Sequence, residues 1–491
     1  MKKQLHLTTM KIYSTVLILF LGISALVDAQ TTGWNNGGGN WQRNGYMDVA
    51  GPTTDSVLWQ VNSDGFFGMP IFIEGNYLVT MRFLGMTNAP VECYDLTSGN
   101  LLWSVDVTNS SGRSLPVGLR DERVFVVRYT ESQNDTLYAL DVSNGSHLWT
   151  SDVNVAPYIT ETGVFDSSGN FYIYGSNFKT YKINPVNGEM IWETLTIPAA
   201  SGSGEMAINN SNNTGYTLEL IGGLSYVWAI DLATGQKKYN HIVQELQPGG
   251  NLPQSALMVG FNGVVYVQLT EDNVAALSDN GTGFTLLWQT EIYGNVSFSL
   301  MCVGADGSIY APTDGKIVRL DPLTGVTLDE SVTITQGGFF LPRISATNNN
   351  MIYATNGENY VYAFDLNLNL IWSDDLPNTN TSGVCIAPNG LAAVCGQNTI
   401  RVYTPTQTVG IPETEDVIVS LHPNPTSSYV TLTFENLVSA KDYLCIDSQG
   451  KIMRKGKIFE KCTTLNLADL NSGLYFLQIE GLNQTVKIVK K

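Results

Sequence analysis

Short apolar runs punctuated by Gly, Asn and Asp mark strands and turns along the chain, and one pattern among them repeats. It is a short apolar strand, an Asp, three residues, a Gly, and a strand that ends in Trp. The clearest copies are VECYDLTSGNLLW (91–103), LYALDVSNGSHLW (137–149), TYKINPVNGEMIW (180–192) and VWAIDLATGQKKY (227–239). Weaker copies are NVAALSDNGTGFTLLW (273–288), IVRLDPLTGVTLD (317–329) and VYAFDLNLNLIW (361–372), and DSVLW (55–59) stands alone. The acceptor positions are Asp95, Asp141, Asn184, Asp231 and Asp321, each expected to bond to backbone amides just ahead of it and so open a turn. Gly99, Gly145, Gly188, Gly235 and Gly325 follow four residues later and supply the positive φ that other residues adopt at a cost. Trp103, Trp149, Trp192, Trp288 and Trp372 close their strands and are expected to pack between neighbouring sheets.

The closing residues Trp59, Trp103, Trp149, Trp192, Tyr239, Trp288, Asp329 and Trp372 lie 41–49 residues apart. That interval suits one four-stranded propeller blade per repeat. Residues 383–403 hold three strand patterns but no closing Trp strand, and the missing strand stands at 57–61. The expected fold class is all-β. An eight-bladed β-propeller spans 30–405, with an N-terminal strand closing the last blade so that no edge stays open. Seven blades are the alternative.

Composition narrows the compartment and the partners. Charged residues are only 14%, Gly numbers 47 and aromatics reach 10%, which suits strands and turns rather than helices. The net charge of −18 argues against nucleic acid. Residues 30–415 alone carry 14 basic and 36 acidic side chains, so the acidity belongs to the repeats. Residues 1–29 are expected to form a cleaved secretory signal: Lys2, Lys3 and Lys11 precede an apolar run from Val16 to Val27, with cleavage after Ala29. No Cys stands there for acylation, and no later stretch is apolar for long enough to cross a bilayer as a helix. Of the six cysteines, Cys445 and Cys462 are the pair to test for a bridge.

The motif A-x-D-x-x-T-G-x-x-x-W, closest at Ala229–Tyr239 and Ala139–Trp149, resembles the pyrroloquinoline-quinone (PQQ)-like repeat. Trp34, Trp41 and Gly51-Pro52 resemble the opening of such propellers. The resemblance implies the eight-bladed fold; it does not by itself imply the quinone, because many such propellers are scaffolds. After a linker at 406–416, seven short strand patterns suggest a small immunoglobulin-like β-sandwich over 417–491. His422-Pro423-Asn424-Pro425, Leu470 to Phe476 with Gly473 and Tyr475, and a terminal Val486 to Lys491 resemble the type IX secretion C-terminal sorting domain. That resemblance implies export across the outer membrane of a Bacteroidetes-type bacterium by the type IX machinery, and a secreted or surface-held product.

Candidate chemistry is sparse. His147 and His241 are the only histidines of the repeats, too few for a His-based zinc site or a Ser–His–Asp triad. Dehydrogenases of the resembled family hold the quinone between a Trp floor and an adjacent-Cys disulfide, and this chain has no adjacent Cys pair. No cofactor and no metal are therefore expected, and no catalytic residue is assigned. Asp374-Asp375 and Glu271-Asp272 read as solvated turn residues, Gly37-Gly38-Gly39 as a flexible lead-in, and Asp306-Gly307-Ser308 as a tight hairpin. Segments entering the innermost strands offer Phe66, Phe67, Tyr158, Phe339, Phe340 and Arg343 for a ligand at a central mouth. The same Phe residues would otherwise plug the channel as core. The expected function is a secreted or cell-surface binding module for a protein or glycan; a quinone-linked oxidoreductase is the alternative.

Overall fold

The computed structural model describes residues 33–405 and 418–491, apart from 85–87, 109–111, 130–135, 156–162, 176–178, 196, 198–199, 204–205, 246–256, 270–272, 292–300, 314, 335–343, 378–381, 435–440, 448–450, 459 and 480–485. The expected signal peptide and linker lie outside the described residues. The chain divides into two compact units between Pro405 and Thr406. Both are all-β; the only helix among the described residues is a single 3-10 turn, Asn210–Asn212.

In the first unit the described strands form eight sheets. The first runs Phe66–Glu74, Tyr77–Phe83, Val91–Asp95 and Leu101–Val105 as an antiparallel meander. Its third strand is buried from Val91 to Tyr94, which explains a run without alternation. Its outer strand exposes Leu101 and Leu102 and buries Trp103. The core lies between sheets: Phe72, Val79, Cys93 and Trp103 of the first meet Leu119, Val124, Val126 and Val142 of the second and its turn. One sheet takes its outer strand from the start of the chain. Cys385–Ile386, Ala392–Gly396 and Thr399–Tyr403 take their fourth strand from Val57–Asn62, with Trp59 opposite Val402 and Asn62 opposite Thr399. The arrangement is propeller-like.

The repeat motif acts across the seams. Asp95 Oδ1 accepts from the amides of Thr97 and Ser98 at 3.0 and 2.8 Å, and Gly99 follows at φ 74°. Those bonds, led by the Thr97 hydroxyl, hold the Asp95 carboxyl below its usual range. Each indole then packs on the turn of the next repeat. Trp59 donates to Leu96 O at 2.7 Å, Trp103 to Val142 O at 2.7 Å, and Trp149, Trp192 and Trp288 to Pro185, Leu232 and Pro322 at 3.1 Å. The turn glycine lies under the indole: a Cβ at Gly235 would sit 2.5 Å from Trp192, and one at Gly325 2.5 Å from Trp288. The glycine thus serves two needs, a positive φ and room for a ring.

The exceptions follow the same logic. Where Tyr239 replaces Trp, its hydroxyl bonds Asp279 and its ring meets Phe284 edge-on, and Gly281 in that turn has open space around its Cβ position. Where Asp329 replaces Trp, Arg319 bridges Asp329 at 2.8 Å, Asp306 at 2.7 Å and Asn367 of the next turn at 2.7 Å. That next turn has Leu368 at φ 59° in place of Gly. Gly235→Ala should therefore cost about 2–4 kcal/mol, combining the left-handed penalty with overpacking against Trp192. Gly281→Ala should cost only the first part, about 1–2 kcal/mol. Denaturant midpoints measure both, and equal losses would remove the indole from the explanation.

The segment 33–52 corrects the expectation of a flexible lead-in at Gly37-Gly38-Gly39. Trp34, Asn36, Arg43 and Asn44 are buried. Gly39 at φ 87° turns the chain beneath Trp34, and a Cβ on Gly38 would lie 2.6 Å from Arg43 Cα. The segment visits the inner strands in turn. Trp34 pairs with Ile73, and Asn35 O accepts from Leu119 N at 3.2 Å. Trp41 packs with Val164 and Tyr172. The carbonyls of Trp41, Gln42, Asn44 and Gly45 accept from Ile208, Val259, Val303 and Ala346, each at 2.8 Å. These polar residues are buried because the ends of the inner strands offer amides that need partners.

In the second unit, Ile418–His422, Tyr429–Phe434 and Cys462–Asn466 form one sheet. Ile452–Ile458, Lys441–Asp447, Gly473–Ile479 and Val486–Lys490 form another. Val430, Leu432 and Phe434 of the first share a core with Cys445, Leu477 and Ile488 of the second. Cys445 is buried there while Cys462 is exposed on the other sheet, and both are free thiols, so the bridge considered from sequence is not formed.

Candidate functional site

The segment 33–52 covers the end of the first unit where the inner strands turn back. The residues expected from sequence to meet a ligand belong to the opposite end, where these strands begin. Tyr158, Phe339, Phe340 and Arg343 lie outside the described residues. Phe66 and Phe67 open the strand Phe66–Glu74 and part ways. Phe67 is fully buried and meets Tyr94 edge-on at 6.3 Å, so it has no face for a ligand and belongs to the core. Phe66 is half-buried and meets Phe83 edge-on at 5.3 Å.

Sequence reasoning missed the residues around Phe66, because they sit on three strands and converge only in space. Phe83 ends the second strand of the first sheet, opposite Phe66. Arg113 and Tyr129 face one another across two strands of the second sheet. The Arg113 guanidinium carbon lies 5.1 Å from the Phe83 ring centre and 5.8 Å from that of Tyr129. Phe66, Phe83, Arg113 and Tyr129 are all half-buried. Beside them, Arg82 pairs with the buried Glu92 at 2.8 Å and reaches Ser63 at 3.2 Å. Glu92 also accepts from Tyr94 at 2.6 Å; burial and then that bond push the Tyr94 hydroxyl up. Arg82, already satisfied, thus positions the wall of the site rather than its binding edge.

Other candidate groups have structural partners. Asp374 is no solvated turn residue: it lies within the strand Leu370–Asp375 and accepts from Arg401 at 2.5 Å and Tyr403 at 2.8 Å, tying the sheet closed by Val57–Asn62 to its neighbour. Asp375 ends the same strand and bonds Asn359; Glu271-Asp272 lies outside the described residues. Asp306-Gly307-Ser308 forms the expected tight turn, with Gly307 at φ 83°. His147 is exposed and bonds Thr150 at 2.8 Å. Burial pushes the thiols of Cys93, Cys302 and Cys395 up, which keeps them from acting as nucleophiles. A cleft of about 610 Å³ on the outer rim is lined by Ser151, Asp152, Tyr181, Glu189 and Glu193.

In the second unit the motif residues meet the final strand. Asn424, between Pro423 and Pro425, donates to Lys487 O at 2.7 Å and accepts from Val489 N at 2.8 Å. Tyr475 donates to Asn471 O at 2.9 Å across the turn before Gly473. A cleft of about 780 Å³ lies over Tyr443, Lys455, Gly456, Lys457 and Gln478.

Comparison with known proteins agrees with this division. Residues 43–245 match the family described as outer membrane protein assembly factor BamB, and residues 420–491 match the secretion system C-terminal sorting domain. No curated protein matches the chain. Among solved structures, BamB from Moraxella catarrhalis superposes with a TM-score of 0.55 at 12% identity, over 71% of this chain and 99% of that one. Quinohemoprotein alcohol dehydrogenase from Comamonas testosteroni gives 0.58 at 13%, over 82% and 84%. At these identities the likeness is one of fold alone. No helix among the described residues is long and apolar enough to cross a membrane. The chain carries a PQQ-like, BamB-type repeat domain followed by a type IX secretion C-terminal sorting domain, and its destination is the cell surface or the extracellular space.

Proposed function

We propose that the first unit is an eight-bladed propeller ring serving as an extracellular binding module, and that the second is an immunoglobulin-like sandwich carrying it to the type IX machinery. The ring reading is supported by seams that run in order from Trp59 on the turn of Asp95 to Trp372, whose indole donates to Pro52 O at 3.4 Å and meets Tyr403 at 5.3 Å. Segment 49–52 there stands in for the turn that the last repeat lacks.

One observation carries the binding reading. One end of the ring is covered by 33–52, while the other presents half-buried aromatic rings around a guanidinium. Aromatic faces beside polar donors suit a sugar or peptide ligand. The quinone reading lacks its fittings. The strand-closing indoles are committed to seams, and no two cysteines are adjacent to make the ring disulfide. The module is read as a non-enzyme without cofactor.

A glycan and peptide array probed with the purified protein tests this. At least one ligand class should bind, and Phe66→Ala with Phe83→Ala should lose it by about tenfold or more. Quinone, calcium and a dye acceptor added together should give no substrate oxidation. Dye reduction with turnover would replace the binding module with an oxidoreductase.

A further inference from the structure

Arg113 is unusual for this acidic chain. Its described arginine neighbours are bonded to side-chain acceptors: Arg82 to Glu92, and Arg128 to Thr136 at 3.3 Å. The Arg113 side chain forms no ion pair or hydrogen bond with a described residue; its guanidinium lies over the rings of Phe83 and Tyr129. A guanidinium stacked between rings keeps its planar fork of N–H donors at the edge. That fork matches a carboxylate. Holding the guanidinium between two rings also removes much of the ordering cost of gripping an anion.

We propose that Phe66, Phe83, Arg113 and Tyr129 form a subsite for a hexuronate unit of a glycan, the sugar carboxylate gripped by Arg113 and the sugar ring laid on an adjacent aromatic face. The inference rests on the binding-module reading above and names its ligand class. A sugar fits better than an acidic peptide strand. The strand Gly112–Arg120 is paired on both sides here, with Ala89 and Tyr129 each opposite Arg113, so the strand that carries Arg113 offers no open edge to a peptide. The half-exposed rings offer apolar faces to the C–H face of a pyranose. The 36 acidic against 14 basic residues of 30–415 would repel a dense polyanion, but at physiological salt only charges within about 8 Å count strongly. The site therefore selects an isolated uronate rather than a long run of charge.

Titration calorimetry on the purified protein decides it, with a galacturonate trisaccharide, its methyl ester and a hexaglutamate peptide as probes. The trisaccharide should bind, and the ester should bind about tenfold or more weakly. Arg113→Gln should lower acid affinity to that of the ester, and Arg113→Lys should restore part of it. Phe66→Ala should weaken acid and ester alike, with melting curves confirming that each variant is folded. If the ester binds as tightly as the acid and Arg113→Gln is neutral, the uronate subsite is wrong while a glycan site stands. The same holds if only neutral array glycans bind. Hexaglutamate binding equal to the trisaccharide and lost in Arg113→Gln would overturn the sugar assignment in favour of a peptide. If neither the probes nor any array ligand binds, both the subsite and the binding module fall.

Discussion

A protein lacking residues 33–62 will lose the cooperative unfolding transition of its first unit. The deletion removes Val57–Asn62, the strand that completes the sheet of Cys385–Tyr403, and leaves Thr399–Tyr403 as an open edge. It also takes away Trp59 from the turn of Asp95, and loss of this half-buried indole costs about 1–3 kcal/mol. The carbonyls of 35–45 go too, leaving the amides of Leu119, Ile208, Val259, Val303 and Ala346 without partners. Each unmet buried group costs about 1–3 kcal/mol. Together these losses match or exceed the whole stability of a typical domain, about 5–15 kcal/mol. Circular dichroism and calorimetric melts should show a broad, weakened transition. Trp59→Ala, which keeps the strand, should instead give a sharp transition a few degrees lower. A full-strength transition for the deletion would mean that neither the strand nor the segment 33–52 matters to closure.

The repeats were legible because their chemistry is local. Asp95 to Gly99 specifies its own turn within five residues, and the period of the closing Trp counts the sheets. The seam partners were not legible, since Trp149 contacts Gly188 of the following repeat rather than Gly145 of its own. Even so, the loss of Gly at Leu368, one repeat after Trp gives way to Asp329, is a signal in the sequence that pairs each turn with the preceding strand. The burial around Gly37-Gly38-Gly39 is not legible because its polar neighbours are held by backbone carbonyls, which leave no apolar periodicity. Phe66 was found because it enters an inner strand beside Gly65. Phe83, Arg113 and Tyr129 were not, because each alone is an ordinary strand-end residue. Asp374 was taken for a solvated residue because its partners, Arg401 and Tyr403, are far along the chain.

Deletion of 417–491 should leave the protein trapped in the periplasm while leaving the first unit folded. The second unit has its own core of Val430, Leu432, Cys445, Leu477 and Ile488, and the chain divides between Pro405 and Thr406. The first unit is therefore expected to fold on its own core, and failure to leave the cell by a protein that still melts cooperatively would report lost recognition rather than unfolding. Immunoblots of medium, surface and periplasmic fractions measure the first effect, and the melting curve of the trapped protein the second. Asn424→Ala gives a finer test. Its side chain makes two bonds to the backbone of the last strand, at Lys487 and Val489, and losing them should cost about 1–3 kcal/mol of the second unit's stability. Export should fall in step with the fraction of that unit folded, if the machinery reads the folded surface. Unchanged release of the 417–491 deletion into the medium would defeat the export role outright. Full export of a destabilised Asn424→Ala protein would instead show that the machinery reads the terminal sequence without its sheet.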